Sequence, residues 1–107
     1  MRPVYTFAET SSFAVDADKL WSEQERLAFM TWLAAHPEAG DVIPGSGGCR
    51  KVRWSRVGMG KRGGVRVIYF LQLSASRIWL LLIYAKSVRG NIPARLIKAI
   101  REEIENA

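Results

Sequence analysis

The clearest pattern in this 107-residue chain lies at Arg50–Trp54, where basic and apolar residues alternate with a period of two. That period puts Lys51 and Arg53 on one face of a strand and Val52 and Trp54 on the other. Two further stretches read as strands. Val65–Leu73 is rich in β-branched and aromatic residues, and Arg77–Ala85 is apolar on both faces, as a central strand would be. The short turn Ser74-Ala75-Ser76 between them predicts an antiparallel hairpin. Near the start, Arg2–Phe7 has strand composition.

Helical spacing appears in three places. Asp16–Trp21 predicts a brief helix. Ser22 and Glu25 have the spacing of a capping box, which opens a longer helix from Glu23 to about Ala35. His36-Pro37 ends it, because the residue before a proline avoids helical dihedrals. On a wheel Leu27, Met30 and Ala34 form one stripe, while Phe29, Trp32 and Leu33 widen the apolar arc. Deep burial explains such an arc; a second reading has Phe29 or Trp32 docking a partner. A last helix begins near Asn91, with Pro93 in its first turn and Ile92, Leu96, Ile100 and Ile104 recurring every fourth residue. Between Pro37 and Gly48 the expectation is a loop. The order β-α-α-β-β-β-α predicts a single α+β domain over residues 1–107. Its small sheet contains antiparallel pairs, with two N-terminal helices and one C-terminal helix.

Charge changes this picture more than composition does. A chain 49% hydrophobic and 24% charged is globular. Its formal charge of +6 hides a sharper distribution. From Val42 to Arg101 there is no Asp or Glu and there are thirteen Lys and Arg; acids dominate before this block and follow it. A block of one sign attracts polyanions, and for a small domain nucleic acid is the expected one. The longest apolar run, Ile78–Ala85, is too short to span a bilayer, so no membrane role is expected. MRPVYTFAET has no apolar signal core, and the lone Cys49 forms no internal disulfide; both point to the cytoplasm. Cys49, among glycines, reads as a small buried or turn residue.

Several chemistries lose their residues. Gly58–Gly63 fits G-x-G-x-x-G, but a strand follows where a dinucleotide site needs a helix. Arg62 stands where a phosphate-binding loop needs Ser or Thr after Lys61. A glycine-hinged loop, Ser55–Gly64, carrying Arg56, Lys61 and Arg62 is the better reading. The only histidine is His36, so there is no zinc spacing and no expected metal or other cofactor. RNA cleavage needs neither a metal nor paired carboxylates, because the ribose 2′-OH is itself the nucleophile. Arg and Lys neutralise the charge that builds on the phosphorane, and Tyr or Lys assists proton transfer. Tyr69 and Trp54 are candidate stacking platforms for bases; core packing on the sheet is the competing reading for both, and is at least as strong for Trp54, whose pleat neighbour Val52 is apolar.

Four runs carry a resemblance: Gly40-Asp41-Val42-Ile43-Pro44-Gly45-Ser46-Gly47-Gly48, Arg50-Lys51-Val52-Arg53, Gly60-Lys61-Arg62-Gly63-Gly64-Val65-Arg66-Val67-Ile68-Tyr69, and Leu82-Ile83-Tyr84-Ala85-Lys86. Together they resemble the HigB-like branch of the RelE toxin superfamily, the toxin halves of bacterial toxin–antitoxin pairs. The resemblance implies a microbial-ribonuclease-like fold and cleavage of mRNA on the 70S ribosome. It also implies neutralisation by a cognate antitoxin, of helix-turn-helix type, through which alone operator DNA is reached. Lys51 and Arg53 then grip the RNA backbone, Arg66 stands at the scissile phosphate, and Lys86 is the basic residue after the last strand. Arg50, Arg56, Lys61, Arg62 and Tyr69 complete the expected nucleic-acid-binding set. The family often has a further basic residue where Ser87 stands here, and sometimes a Tyr or His in the last helix, where this chain has neither. Tyr84 is the expected substitute in proton transfer.

Two other functions use the same residues. A degenerate toxin would bind RNA or ribosome without cutting, and a basic subunit would mainly meet an acidic protein.

Overall fold

The computed structural model describes residues 4–55, 64–85 and 91–105. The element order is β1 (Thr6–Glu9), α1 (Ser11–Leu20), α2 (Glu23–Ala35), β2 (Asp41–Val42), β3 (Arg50–Trp54), β4 (Val65–Gln72), β5 (Arg77–Ala85) and α3 (Ala94–Glu105). The strands form one five-stranded sheet in the order β1-β5-β4-β3-β2. β2 through β5 pair antiparallel, and β1 joins β5 in parallel, Thr6 opposite Arg77. The α+β expectation holds, with β2 added inside the stretch expected to be all loop.

Each face of the sheet has its own core. Phe13 and Ala17 of α1, with Phe29 and Leu33 of α2, pack on Val52, Val65, Val67, Tyr69, Ile78, Leu80 and Ile83. Trp54 joins this side, its ring 5.4 Å from Phe29 and 5.2 Å from Trp32. On the other face Ile97 of α3, with Ile100 and Ile104 alongside, covers Ile68, Phe70, Leu81 and Tyr84.

Local chemistry explains most boundaries. The capping box of α2 is complete: Ser22 Oγ accepts from Glu25 N–H at 3.1 Å and Glu25 accepts from Ser22 N–H at 3.0 Å. α1 starts earlier than the sequence suggests, because Thr10 caps it by accepting from Phe13 N–H at 3.0 Å. β1 begins at Thr6 rather than Arg2, where pairing with β5 begins. Its predicted first residues lie partly outside the described ones. β4 and β5 are joined by a 3-10 turn, Leu73–Ala75, closed by Ser76 in the left-handed region at φ 48°.

Two wheel readings need correction. In α2 the buried residues are Phe29 and Leu33, whereas Leu27, expected in the stripe, is 66% exposed. Full burial removes Phe29 as a docking residue. In α3 Ile97 is buried and Leu96 is half exposed. A repeat of four drifts around a helix of 3.6 residues per turn, so the true stripe steps from Ile97 to Ile100 and Ile104.

Candidate functional site

The strand pairing assembles part of the sequence-predicted site into a row. Arg53 on β3 stands directly opposite Arg66 on β4, and Arg66 stands directly opposite Tyr84 on β5. Opposite residues of paired strands share a face. This is the face that carries α3, since Arg66 alternates with Val65 and Val67, which belong to the other core. One step along, Lys51 lies opposite Ile68, on the same side as Arg53. The row crosses three strands, about 10 Å at ordinary strand spacing.

Its electrostatics are one-sided. Like charges directly opposite each other in a sheet repel. Yet among the described residues no carboxylate forms an ion pair with Lys51, Arg53 or Arg66. Arg53 is exposed and Arg66 partly so. The Arg66 guanidinium leans towards the start of β4: a Cβ placed on Gly64 would stand 3.8 Å from Nη1. Lys51 Nζ reaches Asn91 Oδ1 at 3.4 Å, just before α3. Tyr84 is 8% exposed, among the residues packed against α3. Such an arrangement suits an anion lying across β3 and β4, with a phenol at one end.

No family model matches the sequence. The free-state structure of an E. coli RelE toxin mutant with two Arg→Ala substitutions is similar. Its TM-score is 0.64, and the match covers 92% of this chain and 97% of that one at 14% sequence identity. The chain has a RelE-like fold.

Within the RelE-like fold the remaining expectations divide. Arg56, Lys61, Arg62 and Lys86 lie outside the described residues. Tyr69 is a correction. It is fully buried on the α1/α2 side, and its hydroxyl donates to Pro37 O at 2.8 Å and accepts from Gly40 N–H at 3.0 Å. Burial raises its pKa, partly offset by the Gly40 hydrogen bond. It anchors the loop after α2 and has no face for a base. Gly40 fits this anchor only as glycine, because a Cβ there would lie 3.0 Å from Lys51 O and from the Tyr69 ring.

Arg50 is a second correction. Its Nη1 donates to Gly40 O at 2.8 Å and Glu38 O at 3.2 Å, so it braces the same loop and stands outside the row. Arg77 opens β5, at the first residue of the predicted strand. On α3, Arg101 lies over the Phe70 ring at 5.3 Å and pairs with Glu105 at 2.8 Å, whereas Arg95 and Lys98 are exposed.

Cys49 is buried, as its reading as a small buried residue requires. Burial raises its thiol pKa, which the Ser46 hydrogen bond partly offsets. Ser46 Oγ accepts from Cys49 N–H at 3.0 Å and donates to Ile43 O at 2.7 Å, closing the β2–β3 connection. Gly45, Gly47 and Gly48 all have positive φ in that connection, which only glycine adopts at low cost. His36 caps α2 and stacks on Trp32 at 5.2 Å. Among the described residues no group of three or more His, Cys, Asp and Glu is placed to hold a metal. No described helix is long and apolar enough to cross a membrane.

Sequence reasoning missed Asn91 and Thr10. Nothing in the sequence marks Asn91 as a neighbour of Lys51. Thr10 had a weak signal, a threonine three residues before the apolar Phe13, without the acidic partner that completes a capping box.

Proposed function

We propose that this chain is the toxin half of a toxin–antitoxin pair of the HigB-like branch, acting as a ribosome-dependent mRNA endonuclease. The observation that carries this reading is the cross-strand row Arg53–Arg66–Tyr84, whose arginines have no carboxylate ion-paired to them among the described residues, built on a RelE-like sheet. In the proposed reaction the ribose 2′-oxygen bonds to the adjacent phosphorus and the bond to the 5′-oxygen breaks. The proton of the 2′-OH is removed, and the departing 5′-oxygen gains one. Arg66 and Arg53 hold the phosphorane oxygens, where charge develops, by charge-assisted hydrogen bonds. Lys51 positions the backbone alongside, and Tyr84 assists proton transfer. A phenol is a weak acid-base group at neutral pH, so alignment of the strand on the ribosome supplies much of the rate. The steps use no metal. Lys86, Arg56, Lys61 and Arg62 extend the RNA contact in this reading. A cytoplasmic antitoxin of helix-turn-helix type neutralises the toxin and alone contacts operator DNA.

The test is Arg66→Ala. Primer extension on translated mRNA is expected to show codon-phased cuts from the wild type and a loss of about 10²–10³-fold in the variant. Fold and antitoxin binding are expected to be unchanged. Full toxicity in Arg66→Ala sinks the assignment.

One observation favours a second reading, a basic module that holds RNA or ribosome without cutting. The last helix supplies no Tyr or His, and Tyr84 is largely buried. A wild-type chain that binds ribosomes and leaves no codon-phased cuts selects that reading.

A further inference from the structure

Tyr84 reaches the arginine row because β5 changes phase part-way along. Ile78, Leu80 and Ile83 all face α1 and α2, which a strand of strict period two does not allow. Trp79, Leu81, Leu82 and Tyr84 all belong to the α3 side. The change falls at a register shift: Tyr69 opposes Leu80 and Ile68 opposes Leu82, leaving Leu81 as the extra residue. Two successive side chains on one face form a β-bulge. Had β5 kept the register it has at Leu80, Ile83 would stand opposite Arg66 and Tyr84 would turn towards α1 and α2.

A bulge leaves its extra residue out of the ladder, so its backbone needs another partner. β1 ends at Glu9, opposite Leu80, so that edge has no strand residue for Leu81. Thr10 takes the place. Its hydroxyl donates to Leu81 O at 2.7 Å, and its N–H donates to Leu80 O at 3.1 Å. The same hydroxyl accepts from Phe13 N–H as the cap of α1. One side chain therefore ties the bulge to the first turn of a helix on the other face of the sheet.

We propose that Thr10 is a positioning residue for RNA cleavage: it holds the Leu81 bulge that delivers Tyr84 to the side of Arg66. The proposal rests on the endonuclease reading and on the part of Tyr84 in it. Three variants of the full chain separate the roles of the hydroxyl. Thr10→Val keeps the shape and removes both hydrogen bonds. Thr10→Asp keeps an acceptor for Phe13 N–H, but an ionised carboxylate has no proton for Leu81 O. Thr10→Ser keeps both, and Tyr84→Phe is the reference.

Single-turnover cleavage of ribosome-bound mRNA is followed against protein concentration. The expected result is a saturating rate about a hundredfold lower in Thr10→Val and Thr10→Asp, the scale of a small misplacement of a reacting group. Half-saturation is expected to be unchanged, and Thr10→Ser to cut like wild type. In the Tyr84→Phe background Thr10→Asp is expected to cost nothing further, because the two residues act as a unit. Losses that multiply instead, or a Thr10→Ser variant as poor as Thr10→Val, overturn the proposal.

Should Thr10→Val fail to fold, Thr10→Asp, with its cap intact, carries the comparison. A second readout does not need cleavage: cross-strand backbone contacts by NMR. Thr10→Asp is expected to lose the Arg66–Tyr84 pairing and gain Arg66–Ile83. If wild type cuts no RNA, the endonuclease reading falls while this measurement still decides the bulge. An unchanged Arg66–Tyr84 register rejects Thr10 as its anchor, and a shifted one upholds it.

Discussion

Two arginine sites, one on each face of the sheet, are built in opposite ways. On the α1/α2 side Arg26 is enclosed by acids: its guanidinium forks onto Glu9 at 2.8 Å and reaches Asp18 at 2.6 Å, with the Phe13 ring 5.9 Å away. Burial works against that charge, yet Glu9 and Asp18 more than offset it and leave the Arg26 pKa raised. Three elements, β1, α1 and α2, are pinned together there. On the α3 side Arg53 and Arg66 stand opposite each other with no described acid paired to either. The first arrangement serves the fold. The second costs the fold a like-charge contact, and an anion arriving from outside would relieve it.

That contrast can be broken from either side. The largest effect is expected at Phe29, fully buried between Trp21 and Trp54. Phe29→Ala is expected to lower unfolding free energy by about 3–5 kcal/mol, read from the denaturant midpoint. A loss below that of an exposed residue such as Leu27 would mean the helices do not pack as described. Next comes Arg26→Met, which leaves partly buried Glu9 without its partner. It is expected to cost about 2 kcal/mol, nearly all of it through Glu9, because Asp18 is mostly exposed. Urea unfolding of Arg26→Met beside Asp18→Asn checks that split, and equal losses would refute it. The smallest effect has the opposite sign. Arg53→Gln is expected to stabilise by about 0.3 kcal/mol at low salt by removing the repulsion with Arg66. The gain should vanish near 1 M salt, where screening acts within about 3 Å. A destabilised Arg53→Gln would mean that a partner already compensates Arg53.

How far the sequence could be read depended on whether a strand has one polar face. β3 alternates cleanly, so the sequence separates Lys51 and Arg53 from Val52 and Trp54, which do pack in the α1/α2 core. β5 is apolar on both faces, and in β4 the one charged residue, Arg66, carries the phase information. Counting by two from Arg66 turns Tyr69 to the other face, where its hydroxyl anchors a loop in the core. The facing of Tyr84 depends on a bulge that no local residue type announces. Helix α2 was legible at its ends, where Ser22, Glu25 and Pro37 act through nearby backbone atoms. It was illegible around its girth, where apolar residues on most sides left Leu27 and Phe29 indistinguishable. The row itself is tertiary: Arg53, Arg66 and Tyr84 are scattered in the chain, and only strand register makes them neighbours.

The sheet order has a consequence for how the molecule meets copies of itself. An exposed sheet edge is a template for another strand, and long apolar edges invite aggregation. Here the long apolar strands β4 and β5 lie inside the sheet, and its margins are the two shortest strands. β1 offers four residues, ending at Glu9, and β2 offers two, beginning with an exposed Asp41. Brevity and charge thus blunt both margins, leaving a newly made chain little edge on which a fibril could start.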